Sequence, residues 1–130
     1  MAKARHSGAA TQAGWPRRGE IYLTALDPTV GREIQKTRPA LIIQNDISNC
    51  LTSLTIVAPI TSTVRFPLNP VHVLISADRN TGLAVTSVAL LSQIRAVDKA
   101  RLVRRLGAVN SDALRHVDEA IQISLGLTKL

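Results

Sequence analysis

Arg38 and Thr61 are the two residues whose types and placement bear most directly on chemistry. The runs Arg38–Asp46 and Leu54–Thr61 read as two buried strands whose connection centres near Asn49-Cys50. In a simple antiparallel hairpin of that register Arg38 and Thr61 face each other at the open end, and a bulge would shift them by a residue or two. The polar stretch Gly31–Thr37 feeds straight into Arg38, so Glu33, Gln35 and Lys36 hang over the same end. A guanidinium beside a hydroxyl can bind a phosphate and stabilise extra charge on it. RNA brings its own nucleophile, the 2′-hydroxyl, so a protein that orients it and stabilises the phosphorane needs no metal. The same spacing also suits a strand-end arginine satisfied by solvent or by Glu33, and an ordinary strand threonine. Residue spacing alone therefore leads to a basic strand protein with a phosphate corner.

Other machinery is excluded by its absence from the sequence. There is one cysteine, Cys50, so an internal disulfide and a zinc-finger type of metal site are ruled out. No metal-spaced histidine cluster, phosphate-cradling glycine loop or serine nucleophile elbow occurs. His6, His72 and His116 fall in the N-terminal segment, on a strand and on a helix, and do not form an acid–base pair. Sixteen Lys and Arg stand against nine Asp and Glu, a net charge of +7. That excess points to a polyanionic partner, either nucleic acid or an acidic protein segment. No apolar run approaches a membrane span and no secretory signal opens the chain; with the missing disulfides, this predicts the cytoplasm.

The elements that must hold the corner follow from periodicity. Residues 1–16 read as a disordered tail, and residues 17–130 as a single domain with one core. Ile21, Leu23 and Ala25 alternate with polar neighbours as a half-buried strand that Asp27-Pro28 ends. Ala40–Ile43 and Leu54–Ile60 read as strands covered on both faces, with a turn region at Asn45–Asn49 between them. Further strands are expected over Val71–Ser76 and Ser87–Ile94, and a weakly alternating one over Arg101–Arg105. Asp98 caps a single helical turn. Ser111 reads as the cap of an amphipathic helix carrying Leu114, Val117, Ile121 and Leu125, which Gly126 stops. Short strands followed by one helix at this length make a strongly bent sheet or partial barrel.

The same residues carry a family resemblance that runs in order from Arg18 to Leu127. Arg18-Gly19-Glu20-Ile21-Tyr22 with Leu26-Asp27-Pro28 resembles the opening of the MazF/PemK/Kid toxins. Gly31, Glu33 and the block Thr37-Arg38-Pro39-Ala40-Leu41-Ile42-Ile43-Gln44-Asn45-Asp46 resemble their central signature. Pro59-Ile60-Thr61-Ser62, Gln93-Ile94-Arg95-Ala96-Val97-Asp98 and the closing segment Val117 to Leu127 are similar to the later blocks. The resemblance implies a mainly β fold with α, an SH3-like small barrel of the CcdB/PemK type with a C-terminal amphipathic helix. It also implies a homodimer and a metal-independent, sequence-selective endoribonuclease without cofactor, cutting single-stranded RNA to a 2′,3′-cyclic phosphate and a 5′-hydroxyl. On that basis Arg38 and Thr61 are catalytic, and Glu33, Gln35, Lys36, Gln93 and Arg95 bind substrate. An antitoxin whose disordered acidic tail folds onto the dimer is the implied protein partner, consistent with the positive charge.

Two departures from that family bear on mechanism. Arg32 stands where some members have a histidine, and Ser92 where some have an aspartate, so an acid–base scheme using those groups is closed to this chain. Arg38 then stabilises phosphorane charge while solvent or Glu33 moves the proton, since a guanidinium is a poor proton carrier. Two other functions share the fold class. A gyrase poison of CcdB type would act through C-terminal aromatic and small residues, whereas this chain ends Thr128-Lys129-Leu130. A non-cleaving RNA-binding module would want stacking aromatics, and the chain has one Trp, one Tyr and one Phe.

Overall fold

The computed structural model describes residues 14–27, 31 and 36–129. Glu33 and Gln35, His6 and most of the segment expected to be a tail lie outside the described residues. Within that segment Pro16 is buried, and Trp15 lies 5.7 Å from the Arg17 guanidinium.

The described residues form seven strands: β1 (Glu20–Ala25), β2 (Thr37–Ile42), β3 (Leu54–Thr61), β4 (His72–Ile75), β5 (Ser87–Leu90), β6 (Arg95–Asp98) and β7 (Leu102–Ala108). Two α-helices complete them, α1 (Asp46–Leu51) and α2 (Ser111–Ser124), with one 3-10 turn over Lys99–Arg101 that Asp98 caps, as expected. The strands run in the order β4-β5-β3-β2-β1-β7, all antiparallel, with β6 on β3 beside β5. The sheet is mainly β with a C-terminal helix, as expected, but it is not a closed barrel: β4 and β7 do not pair. Instead the turn after β4 meets β7 backbone to backbone, where Ala108 N donates to Asn80 O at 2.8 Å.

Period-2 patterning gives the sheet two apolar faces. Ile21, Leu41, Ala58, Ile60, Val73, Ile75 and Ala89 form one core, covered by Val117 and Ala120 of α2. Tyr22, Leu26, Ala40, Ile42, Val57, Val97 and Leu102 form a second core on the opposite face. Arg18 ties the entry of β1 to both helices: its backbone N–H donates to Asp46, its Nε to the Ile43 carbonyl, and Nη2 pairs with Asp118 at 2.7 Å. No helix among the described residues is long and apolar enough to cross a membrane.

Three local expectations are corrected. The Asn45–Asn49 region is not a turn alone: Asn45 accepts from Ser48 N at 2.8 Å and caps α1, an instance of Asn favouring caps as readily as turns. The expected strand Ser87–Ile94 stops at Leu90, and β6 begins at Arg95. Pro59 supplies the reason. Ile43 N donates to Ile56 O, so alternate residues from Val57 turn their backbone toward β5 and β6, and at Pro59 that edge has no N–H. The partner chain bulges out there, between the pairs Val57–Arg95 and Ile60–Ala89. Finally, α2 is capped by Asn110, whose side chain accepts from Ala113 N, one residue before the expected Ser111.

The seam between β7 and the turn after β4 depends on two glycines. A Cβ at Gly107 would stand 2.1 Å from Asn80 O, and one at Gly82, at φ +70°, 2.0 Å from Leu106 O. Backbone cannot give way as a side-chain tip can. Gly107→Ala should therefore destabilise the protein by about 3 kcal/mol, the upper end for overpacking, read as a lower urea midpoint at unchanged slope.

Candidate active site

The β2–β3 ladder pairs Ile42 with Val57, Leu41 with Ala58 and Ala40 with Pro59. The ladder ends there; Arg38 and Thr61 lie two residues beyond it, each on the face that Ala40 and Pro59 share. Arg38 pairs with Thr24 of β1, and Thr61 with Val88 of β5, which pairs with Leu74 of β4. Two short rows of side chains thus lie on one face, Leu74, Val88 and Thr61 across β4, β5 and β3, and Arg38 and Thr24 across β2 and β1. Arg38 and Thr61 are half-buried; Val88 and Thr24 beside them are buried. The Thr61 hydroxyl accepts from Thr63 N at 3.2 Å, which fixes its orientation at the strand end.

The remaining expected residues divide. Lys36 lies at the foot of the loop with φ 72°, its N–H donating to the Asp27 carboxylate at 2.9 Å and its carbonyl accepting from Leu26 N at 3.0 Å. Gln93 sits in the bulge opposite Pro59, half-buried, where its N–H donates to Leu90 O. Arg95 shares the face of Val57 and therefore of Arg38. Its Nη1 donates to the Leu26 carbonyl at 2.9 Å, so part of its fork is engaged with backbone. His72, read from sequence as a surface residue, is half-buried and stands on the Leu74 side of the same face, in the neighbouring row. Sequence periodicity did assign it to a strand, but only the sheet order shows which face it shares.

Farther along β1, on the face that Tyr22 and Thr24 share, lies a buried carboxylate. Glu20, only 8 % exposed, accepts from Arg17 N at 2.7 Å and pairs with Arg105 Nε at 2.8 Å. The Tyr22 hydroxyl lies 3.5 Å from it. Burial, reinforced by the Glu20 charge, pushes the Tyr22 phenol well above its ordinary 10.0. Lys99 is also buried and donates to the Asn49 carbonyl; burial lowers the pKa of its ammonium. A groove of about 510 Å³ between β4 and α2, bordered by His72, Asp78, Asp112, His116 and Glu119, includes none of the expected substrate or catalytic residues.

Known proteins resemble this chain in sequence and in fold. The model of a family described as PemK-like, MazF-like toxin of type II toxin–antitoxin system matches residues 17–125. The chain is 44 % identical over 111 residues to endoribonuclease EndoA of Bacillus subtilis (strain 168), an alignment covering 85 % of this chain and 95 % of that protein. It resembles the crystal structure of MazF from Deinococcus radiodurans with a TM-score of 0.73 at 27 % identity, covering 86 % and 97 % of the two chains. In fold alone it is similar to a mycobacterial endoribonuclease in complex with its cognate antitoxin, with a TM-score of 0.70 at 24 % identity over 88 % and 99 %.

The raised Tyr22 pKa makes a pH prediction. Its folded value exceeds its unfolded one, so its stabilising contribution is intact below about pH 10 and is lost as pH climbs past that value. Urea unfolding at pH 9 and 11 should show the wild type losing about 1 kcal/mol more than Tyr22→Phe across that interval.

Proposed function

Because the chain belongs to the PemK-like, MazF-like toxins of type II toxin–antitoxin systems, we propose that it is a metal-independent endoribonuclease cutting single-stranded RNA at selected sequences. Residues 17–130 act as the toxin domain, residues 1–16 lie outside it, and the protein works in the cytoplasm as a homodimer. Exposed Phe66, Leu74 and Val85, grouped around β4 and β5, support a face covered by a second copy.

The placement of Arg38 and Thr61 on one face, two residues beyond the last pair of the β2–β3 ladder, carries this reading. A phosphodiester held between them has its charge met by a guanidinium and a hydroxyl at once. The 2′-hydroxyl of the preceding nucleotide attacks in line, the 5′-oxygen leaves, and the products are a 2′,3′-cyclic phosphate and a 5′-hydroxyl. Arg38 stabilises the phosphorane as charge accumulates on it, Glu33 or solvent takes the proton from the attacking oxygen, and solvent protonates the departing 5′-oxygen. Glu33, Gln35 and Lys36 of the loop, with Gln93 and Arg95, form the substrate-binding set. The cognate antitoxin, through an acidic disordered tail, competes with RNA for the same positive surface.

Incubation of the purified protein with a long RNA in EDTA tests the reading. Discrete cuts ending in cyclic phosphate support it, and inhibited DNA supercoiling with intact RNA would overturn it. Arg38→Ala should slow cleavage by about 10²–10³ while leaving the urea midpoint close to wild type.

A further inference from the structure

The groove between β4 and α2 runs along an open strand edge. β4 ends the strand order and pairs with β5 alone. Leu91 N donates to Val71 O, which sets the phase of the β4–β5 ladder. Val73 and Ile75 therefore turn their main chain toward β5, and His72 and Leu74 turn theirs away. The His72 N–H donates to Asn69 O. The His72 carbonyl and both main-chain groups of Leu74 are left without a partner among the described residues. The groove, of about 510 Å³, is lined by every residue from His72 to Ser76. Strand side chains alternate faces, so an unbroken run borders one cavity only along the edge of its strand. Across the groove stand Asp112, His116, Glu119 and Ile123 of α2, three or four residues apart and so on one side of the helix.

The charge of this slot is opposite to that of the whole molecule. Its lining includes Asp78, Asp112 and Glu119 and no Lys or Arg, in a chain of net charge +7. Arg115 meets Asp112 Oδ1 at 2.5 Å and Glu119 Oε2 at 3.8 Å, and Asp78 Oδ1 accepts from Asn80 N and Thr81 N. The second oxygen of each carboxylate is left for a further donor. Such a rim repels RNA and attracts a basic segment.

We propose that the β4–α2 groove binds an extended basic segment of a partner protein, which adds to β4 as a further strand and sets its lysines or arginines against Asp78, Asp112 and Glu119. Main-chain hydrogen bonds to His72 and Leu74 hold the segment, and the carboxylates select its charge. Only the main chain of Leu74 is used; its side chain keeps to the face of Val88.

Fluorescence anisotropy with the full-length chain tests this on three labelled octapeptides: alternating Lys and Val, alternating Glu and Val, and the Lys/Val peptide N-methylated throughout. The Lys/Val peptide should bind saturably, and the Glu/Val peptide about tenfold or more weakly. The N-methylated peptide keeps the charge but loses its main-chain donors, and should weaken by a similar factor. The double variant Asp112→Lys, Glu119→Lys changes exposed positions of α2 and should reverse the preference between the two charged peptides. If that variant fails to fold, the three peptides on the wild type decide the matter. Equal binding of all three, no binding, or a preference unmoved in the folded variant overturns the proposal. So does sedimentation showing a wild-type dimer that the double variant splits, since the groove then belongs to a second copy.

Discussion

Everything at the candidate site depends on the register between β2 and β3. Side chains in a sheet alternate faces, so a slip of one residue would send Arg38 to the helix-covered face and leave Thr61 alone. Three apolar pairs hold that register, and they serve two cores. Leu41 and Ala58 point into the core beneath α2, while Ala40, Ile42 and Val57 point into the other. A slipped strand would expose apolar side chains on both sides at once, a penalty no single polar contact could offset. The two prolines fit this scheme. Pro39 and Pro59 stand in interior strands where a missing N–H is costly, and the chain opposite Pro59 responds by bulging and presenting Gln93.

The arginines illustrate why net charge is a blunt guide. The excess of +7 invites the picture of a uniformly basic groove. In the folded chain many guanidiniums serve the architecture. Arg18 joins the start of β1 to both helices, Arg105 meets the buried Glu20, and Arg95 and Arg101 grip backbone carbonyls. A guanidinium with five donors can hold structure and still project positive potential toward a polyanion.

What could be read beforehand divides along the line between local and distant constraints. The antiparallel hairpin of β2 and β3 was legible because a hairpin makes distance in space a function of distance in sequence. The amphipathic helix was legible for the same reason, since one periodicity specifies both its extent and its buried face. The break at Leu90 was hidden because Ser87–Ile94 contains no glycine or proline, and a neighbour's missing N–H left no mark on it. Arg101 looked like one of several basic residues in a weak strand; its partners Ala25 and Asp27 are 76 and 74 positions away. A backbone carbonyl carries no side-chain signature by which sequence could announce it.

The glycine seam at Gly82 and Gly107 has a bearing on core volume. Leu83 and Leu106, the residues flanking it, both pack into the core under α2. Where two edges meet through main chain alone, no side chain can be shortened or turned to widen the gap, so the girth of that half of the molecule is set by peptide dimensions. Enlarging one interior residue there would require shrinking another in compensation.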